Sequence, residues 1–334
     1  MTRIVEVDPF DDAALRAWHD VYLAAERHER PFACPWMFEE VRAQVRAPAV
    51  GAELLSLALL DGDVVVATGG LRLPLMDNLD VASLLVHTHP DHRRRGHSTA
   101  LLDHLERLAA ARGRRVLMAT TDHAYDRGPT GAGDPGVELL RGRGYEHALG
   151  DVQQTLDLPV DVDRLEALGV VRAPYRLFTT TDDLPDALVP SYAGLVGTLV
   201  TEAPTGDLEQ GPEVYDEERV RAEEHQLRES GRTRYLTLAL DPADQVVAFS
   251  ELAVPRHDPG RAYQQGTLVA RDHRGHGLGV AVKVANLLRL QEREAGLEKV
   301  ITYNAEVNEH MIRVNDLLGF RPTARLAEMQ KRLG

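Results

Sequence analysis

An internal repeat narrows the folds available to this 334-residue sequence more than any other feature. The repeat relates the two halves of the chain by a constant shift of 181 residues. The aligned segments are LSLAL at 55–59 with LTLAL at 236–240, VVA at 65–67 with VVA at 246–248, and DHR at 91–93 with DHR at 272–274. Matches that keep one register in this way predict a duplicated domain, and the chain length suits two hydrophobic cores better than one.

The boundary between the two copies is predicted near residue 165, within the segment PVDVDRLEALGVVRAP at 159–174. We therefore expect an N-terminal domain at 1–165 and a C-terminal domain at 166–334. In each copy the pattern predicts a strand, two helices, a two-stranded hairpin, a fourth strand, a long amphipathic helix, a fifth strand and a short helix. This order indicates an α+β fold in which helices flank a mixed, mostly antiparallel sheet.

The formal net charge of −14 limits the classes of partner that the protein is expected to bind. An acidic surface repels nucleic acid and anionic membranes and attracts cations, although the same charge also serves solubility alone. No apolar run approaches the roughly 20 residues that a membrane span requires, and the N-terminal residues lack a signal-peptide pattern. Cys34 is the single cysteine, so no disulfide forms within the chain. We expect a cytoplasmic protein, monomeric or homodimeric, that binds a small molecule.

The segment GTLVARDHRGHGLGVAVK at 266–283 contains the most informative motif. An apolar strand ends there, a basic and glycine-rich turn follows, and a helix begins at the last glycines. Such a turn aims consecutive backbone N–H groups at one point, and the helix N-terminus adds partial positive charge. Glycines let a diphosphate approach the backbone because no Cβ intervenes. The motif predicts a phosphate-binding loop, and a glycine-rich turn with nothing bound is the alternative.

Arg274-x-x-Gly277-x-Gly279 resembles the pyrophosphate-binding motif of the GNAT acetyltransferases, (Gln/Arg)-x-x-Gly-x-(Gly/Ala). The resemblance extends over the second copy, whose strand order fits and whose end reads NEHMIRVNDLLGF at 308–320. It implies two tandem GNAT-like domains, with acetyl-CoA as the co-substrate of the second. A dinucleotide-binding loop is not indicated, because a strand meander rather than a βαβ unit precedes the motif.

The resemblance also implies which residues hold the cofactor. The strand at Thr267–Val269 is expected to splay from its neighbour and to bind the pantetheine arm through its backbone. Asn308 matches an asparagine that contacts the cofactor in the family. Lys283, one helical turn beyond the loop, is either a further phosphate ligand or part of a solvated helix face. The complete expected set is Leu268, Val269, Arg274, Gly275, His276, Gly277, Leu278, Gly279, Lys283 and Asn308.

Acetylation of an amine requires a base, because the amine must lose a proton to react. Glu251 is the candidate. It alternates with Phe249 and Ala253 in the strand VVAFSELAV, so its face of the sheet is expected to be apolar and the pKa of its carboxyl raised. A glutamate at a strand edge, facing solvent or paired with an arginine, is the alternative. The first copy has Gly70 at the equivalent position.

The residue at the position of the family's general acid differs from the family pattern. Asn315 stands where many GNAT enzymes carry a tyrosine, so Tyr303 or water is expected to protonate the thiolate. The catalytic candidates are thus Glu251, Tyr303 and Asn315. In the first copy the loop RRRGHS at 93–98 keeps only part of the motif, and Leu140 stands at the tyrosine position. We expect the first copy to be degenerate and structural, and leave open whether it binds CoA.

The resemblance implies an N-acetyltransferase that acts on a small amine, and the net charge favours a cationic acceptor. The acceptor is expected to be selected by the helices predicted at 36–46 and 216–230. Two alternatives remain. One is an enzyme of the mycothiol-synthase type, which is also a tandem GNAT protein. The other is a non-catalytic acyl-CoA-binding sensor or scaffold, which the missing tyrosine would fit.

Overall fold

The computed structural model describes residues 2–47, 51–181, 183–202, 204–209, 211 and 214–333. Secondary structure follows the predicted order in both halves of the chain, except that each half has a further strand after its short helix that was not predicted. The strands are β1 (Thr2–Glu6), β2 (Ala52–Asp61), β3 (Val64–Pro74), β4 (Val81–Thr88), β5 (Val116–Ala124), β6 (Glu146–Asp157), β7 (Arg176–Thr180), β8 (Arg232–Leu240), β9 (Val246–Pro255), β10 (Arg261–Val269), β11 (Lys299–Ala305) and β12 (Arg321–Arg332).

The helices predicted before each hairpin are present, with ends that differ by a few residues from the predicted ones. None of the helices in the described ranges is both long enough and apolar enough to cross a membrane. The α-helices are α1 (Asp12–Arg27), α2 (Phe38–Arg46), α3 (His97–Ala111), α4 (Pro135–Gly142), α5 (Val162–Leu168), α6 (Val189–Val196), α7 (Leu199–Glu202), α8 (Glu217–Glu229), α9 (Leu278–Arg293) and α10 (Glu309–Leu318).

The chain forms two compact units, and neither unit is continuous in sequence. Unit 1 comprises Met1–Val152, Thr205–Gly211 and Thr323–Gly334, and unit 2 comprises Gln153–Pro204 and Pro212–Pro322. The single boundary predicted near residue 165 misses this arrangement. Strand β12, at the end of the second copy, pairs with β5 of unit 1, whereas the second part of β6, at the end of the first copy, belongs to unit 2. The two copies of the repeat therefore exchange their final strands.

In unit 1 the sheet has the order β1-β2-β3-β4-β5-β12, and β4 and β5 are its parallel pair. Helix α1 begins after Asp11, whose carboxylate accepts hydrogen bonds from the first backbone N–H groups of the helix. Leu57 and Leu59 share a buried cluster with α3, while Ala58 packs with α1. Since alternate residues of a strand point to opposite faces, α1 and α3 cover opposite faces of this sheet.

In unit 2 the sheet has the order β6-β11-β10-β9-β8-β7, and β10 and β11 are its parallel pair. Helix α9 buries Leu287 and Leu290 in one cluster with Leu252 of β9. Each buried leucine contributes roughly 1.5–3 kcal/mol. Phe249 of β9 packs instead with α6, so α6 and α9 lie on opposite faces of the sheet. Both units thus have the predicted α+β fold, a mixed sheet with helices on its two faces.

Candidate active site

Strand β10 separates from β11 partway along its length. The two strands, both wholly described, pair in parallel along Arg261–Tyr263, while β10 continues to Val269. On its other side, β10 has one extra residue relative to β9 between Gln264 and Thr267. Such a β-bulge bends the strand and takes part of its backbone out of the hydrogen-bonded ladder. The strand that was predicted to splay therefore has an opening beside it.

A pocket of about 180 Å³ lies beside the bulge, on the face of unit 2 that carries α6. Three aromatic rings, two carboxylates and one guanidinium contribute to its wall. These groups belong to Tyr192, Tyr215, Phe249, Glu223, Glu251 and Arg219. A Cβ at Gly266 would lie 3.1 Å from Cε2 of Phe249, so the glycine allows the aromatic wall to approach the bulge.

Glu251 lines this pocket, so the structure brings the predicted base to the bulge. Burial raises the pKa of Glu251 above its ordinary value. The positive charge of Arg234 opposes this rise, and the negative charge of Glu223 adds to it. The Tyr192 hydroxyl favours the ionised form of the Glu251 carboxyl and so, like Arg234, acts to lower its pKa. A carboxylate of raised pKa is a better proton acceptor than an ordinary glutamate.

A buried amide secures the bulge. Gln264 is 6% exposed, and its Nε2 donates to the carbonyl of Glu251 at 2.6 Å and to the carbonyl of Gln265 at 3.1 Å. The side chain thereby satisfies backbone carbonyls at the point where the ladder is interrupted. Gln264 was not among the predicted site residues, although a polar residue at an inward position of a strand can indicate a functional role.

Tyr303 lies on the same face of the sheet as Glu251, on the far side of the bulged strand. Ala253 and Ile301 pair with the same residue of β10, and residues two positions apart along a strand share a face. Glu251 and Tyr303 therefore flank the opening. The Tyr303 hydroxyl accepts a 2.7 Å hydrogen bond from Nε2 of Gln153, and the residue is 37% exposed.

Asn315 and Lys283 belong to a buried network instead, which corrects two predictions. Asn315 is fully buried, and its Oδ1 accepts a 2.8 Å hydrogen bond from Nζ of Lys283. Lys283 is 2% exposed, and its Nζ lies 5.7 Å from the centre of the Phe320 ring. Lys283 is therefore neither a phosphate ligand nor part of a solvated face, because it lies on the inward face of α9. The buried amide of Asn315 is not placed to protonate a thiolate.

The buried Lys283 leads to a prediction about stability. Burial lowers the pKa of its ammonium from 10.5 to about 7, so between these values the unfolded chain binds the proton that the folded protein lacks. The free energy of unfolding should therefore rise with pH across this interval, by up to about 1.4 kcal/mol per pH unit. Lys283→Met should remove this rise when urea unfolding is measured at pH 7, 8 and 9. Lys299→Met, at a partly exposed lysine, is the control, and parallel curves for parent and Lys283→Met would contradict the prediction.

The turn after β10 has the geometry of an anion-binding loop. Gly275 and Gly277 have φ values of 82° and 75°, in the left-handed region that favours glycine. A Cβ added at either glycine would meet no atom of the described chain within 4 Å, so open space faces this backbone. Helix α9 begins directly after Gly277, and its N-terminus adds partial positive charge. These features fit a diphosphate held by backbone N–H groups.

Arg274, the basic residue of the motif, is exposed but engaged. Its Nη2 donates to Glu202 of α7 at 2.7 Å, and its Nε donates to the Val269 carbonyl at 3.3 Å. Arg271 donates to the other oxygen of Glu202 at 3.1 Å. These hydrogen bonds, first that from Arg274, hold the pKa of Glu202 below its ordinary value. A phosphate that reaches Arg274 would have to exchange with this carboxylate.

The remaining predicted cofactor residues differ in what they can offer. Leu268 and Leu278 have buried side chains, so only their backbone groups are available to a ligand. The ring of His276 lies 5.3 Å from that of Tyr175, next to the loop. Asn308 caps α10, since its Oδ1 accepts a hydrogen bond from the Met311 N–H at 3.2 Å. The contact of Asn308 with the cofactor stays a prediction.

Unit 1 has a similar loop, but the neighbouring strands β3 and β4 of its sheet pair without a bulge. Gly96 precedes α3 with a φ of 83°, and no described atom lies within 4 Å of an added Cβ there. However, β4 pairs with β3 along Ala67–Arg72 without an extra residue. The Leu85 side chain lies 2.9 Å from the place of a Cβ on Gly70, which occupies the Glu251 position of the repeat. Leucine therefore fills the space that corresponds to the carboxylate of unit 2.

Helix α8 is one of the two helices predicted to select the acceptor, and that role stays a prediction. It contributes Arg219 and Glu223 to the pocket wall. Nε of Arg219 lies 3.4 Å from Glu223, and the Tyr215 hydroxyl also donates to Glu223. The other predicted helix, α2, belongs to unit 1 and is not part of this wall. Tyr192 of α6 and Tyr215, which precedes α8, were not among the predicted site residues, because single aromatic residues are more often part of a core.

The acetyltransferase (GNAT) family profile matches residues 15–127 and 201–320, together more than half of the chain. The mycothiol acetyltransferase of Parafrankia sp. (strain EAN1pec) is 27% identical over 351 residues, 96% of each sequence. A solved tandem GNAT protein from the clavulanic acid biosynthesis pathway is 30% identical, with a TM-score of 0.82 over 100% of this chain and 99% of that chain. A GCN5-related N-acetyltransferase from Sphaerobacter thermophilus has the same fold at 17% identity, with a TM-score of 0.64 over 100% and 96% of the two chains.

The profile matches fall on the two copies of the repeat, one on each. The similarity to the tandem GNAT protein extends over the whole chain. At 30% sequence identity it shows a common family as well as a common fold. The loop motif, the strand order and the segment at 308–320 are the features by which the sequence resembled this family. This chain therefore belongs to the GNAT acetyltransferase family, as a tandem N-acetyltransferase.

Proposed function

We propose that unit 2 transfers an acetyl group from acetyl-CoA to the amine of a small, cationic metabolite. The observation that carries this proposal is the position of Glu251. Its carboxylate lies in an aromatic-walled pocket, directly beside the bulge in the splayed strand. Acetyl-CoA as co-substrate makes the cytoplasm the expected compartment, and a monomer or a homodimer would serve equally well.

In this proposal Glu251 accepts the proton that the amine loses as it attacks. An amine with an ordinary pKa of about 10 is protonated at neutral pH, so a base of raised pKa at the point of attack is what the reaction needs. Backbone N–H groups at the bulge are candidates to stabilise negative charge on the thioester oxygen. Tyr303, on the other side of the opening, is the proposed acid for the departing sulfur. The loop around Gly275 and Gly277 would hold the diphosphate.

The pocket wall supports a cationic acceptor. Glu251 and Glu223 both line the pocket, where Arg219 pairs with Glu223. The positive charge that acts on Glu251 is that of Arg234. The rings of Tyr192 and Phe249 lie 5.4 Å apart in an edge-to-face arrangement. Aromatic faces attract ammonium groups, and a pocket of about 180 Å³ admits only a compact group. We infer that a small ammonium-bearing part of the acceptor enters this pocket.

Transfer of labelled acetyl from acetyl-CoA to a panel of amines tests the proposal. The panel should include aminoglycosides, amino-acid derivatives, polyamines and neutral aromatic amines, and we expect turnover with at least one cationic class. Calorimetric binding of CoA without transfer to any class would overturn the proposal and favour an acyl-CoA sensor.

The mycothiol acetyltransferase relative suggests a second candidate. Because it matches this chain over 96% of both sequences, the acceptor of a mycothiol acetyltransferase belongs in the panel. At 27% identity the acceptor is not carried over with the family, since pocket residues on helices vary between members of one fold. Preferred turnover with that acceptor over all other classes would select this candidate.

A further inference from the structure

We propose that Gln153 is a positioning residue for the general acid, because its buried side-chain amide holds the Tyr303 hydroxyl in the orientation that delivers a proton to the departing sulfur. This inference rests on the proposed function, in which Tyr303 protonates the thiolate. It adds that the strand ending the first copy of the repeat supplies part of the catalytic machinery of the second copy.

The hydrogen bond between these two residues is short and partly buried. Gln153 is 2% exposed, and its Nε2 donates to the Tyr303 oxygen at 2.7 Å. Gln154, the next residue of β6, points to the other face, where its amide is bonded to Asn315 and Asp316. Strand β6 thus presents one amide to each face of unit 2, and Gln153 is the one on the face of Glu251.

The direction of the hydrogen bond matters for proton transfer. An amide N–H donates, so the phenol oxygen of Tyr303 accepts and the phenol still carries a proton to give. A donor that faces the oxygen also stabilises the phenolate that remains after the proton has left. An ordinary thiol has a pKa of about 8.5 and an ordinary phenol about 10, so the phenol is the weaker acid and this stabilisation favours the transfer.

In the reaction, the amine nitrogen forms a bond to the carbonyl carbon, and the C–S bond breaks with its electron pair on sulfur. Tyr303 gives its proton to that sulfur, so CoA leaves as a thiol. Before the attack, the ammonium form of the acceptor has released one proton to solvent, and Glu251 takes the second proton, which the nitrogen loses after the attack. Transfer of that proton through solvent to the Tyr303 oxygen restores both residues and leaves no net change in the protein.

The exchange of final strands explains why Gln153 lies beside Tyr303. Sequence order places β6 at the end of the first copy, yet its residues from Gln153 onward belong to unit 2 and adjoin β11. An isolated fragment at 166–334 would lack this strand. The experiment therefore uses the full chain, acetyl-CoA and the amine of the panel that gives the highest turnover.

The first test compares two substitutions of Gln153. Gln153→Glu keeps the length but replaces the donor by an acceptor, which would hold the phenol proton. Gln153→Met keeps the volume and removes the polar group. Both are expected to lower kcat by about 10- to 100-fold, while KM for acetyl-CoA stays within about two-fold. A parental kcat in Gln153→Met, with unchanged thermal unfolding, would overturn the inference.

The second test separates positioning from a structural role. Tyr303→Phe should itself lower kcat, and in that background Gln153→Met should have little further effect, because the group it positions is gone. Full additivity of the two substitutions would contradict the inference. Failure of the proposed function would differ: the parent would transfer no acetyl, or Glu251→Gln would keep full activity, whatever the Gln153 variants do.

Discussion

Gly277→Glu is expected to abolish CoA binding to unit 2. The new side chain would enter the open space in front of the loop and place a carboxylate where the diphosphate is proposed to bind, at a helix N-terminus that favours anions. Calorimetric titration should show an affinity at least about 100-fold weaker than that of the parent, equivalent to roughly 2.7 kcal/mol. Equal affinity in the two proteins would refute the assignment of this loop to the cofactor.

Gly96→Glu in unit 1 is the matched control. Gly96 and Gly277 both precede a helix, both have a positive φ, 83° and 75°, and both face open space. A non-glycine residue is therefore strained to a similar degree at the two positions. We expect Gly96→Glu to leave acetyl transfer within a few-fold of the parent. Loss of transfer in a folded Gly96→Glu protein would mean that the catalytic role lies in unit 1 or is shared.

Glu251→Gln should lower kcat for acetyl transfer by roughly 10²–10⁴ while CoA affinity is unchanged. The amide keeps the shape of the carboxyl, but it cannot take a proton from the amine. Steady-state kinetics and CoA titration on the same preparation measure the two effects separately. A parental kcat at neutral pH would remove Glu251 from the mechanism.

The pH dependence of kcat tests the same residue independently. Because burial raises the pKa of Glu251, its ionised form predominates only at a higher pH than for an ordinary glutamate, and kcat should rise with pH along an acidic limb. Glu251→Gln should remove that limb from any residual activity. Glu328→Gln is the control, since burial and the neighbouring Asp151 raise the pKa of this unit 1 carboxyl to about 7. A limb that disappears in Glu328→Gln would show that a different carboxyl controls the rate.

Local patterns in the sequence were sufficient for the fold and for part of the site. The constant register of the repeat predicted two domains of one fold, since both copies carry the same order of strand and helix patterns. Alternation around Glu251 predicted a shared face with Phe249, and both residues line the pocket. The glycine spacing predicted the loop that ends at Gly277. The last two inferences concern residues that are close along the chain, where strand alternation or the spacing within one turn fixes their relative positions.

Tertiary structure alone decided which strand joins which unit and which polar residues reach the site. Strands β6 and β12 end the two copies, so strand periodicity cannot tell which sheet each completes. Lys283 lies one turn beyond the loop, which suggested a phosphate ligand. In the structure its side chain points inward and donates a hydrogen bond to Asn315. Gln153 lies 150 residues from Tyr303 and contacts it only because β6 adjoins β11. Contacts of this kind depend on the pairing of distant strands, which local sequence does not encode.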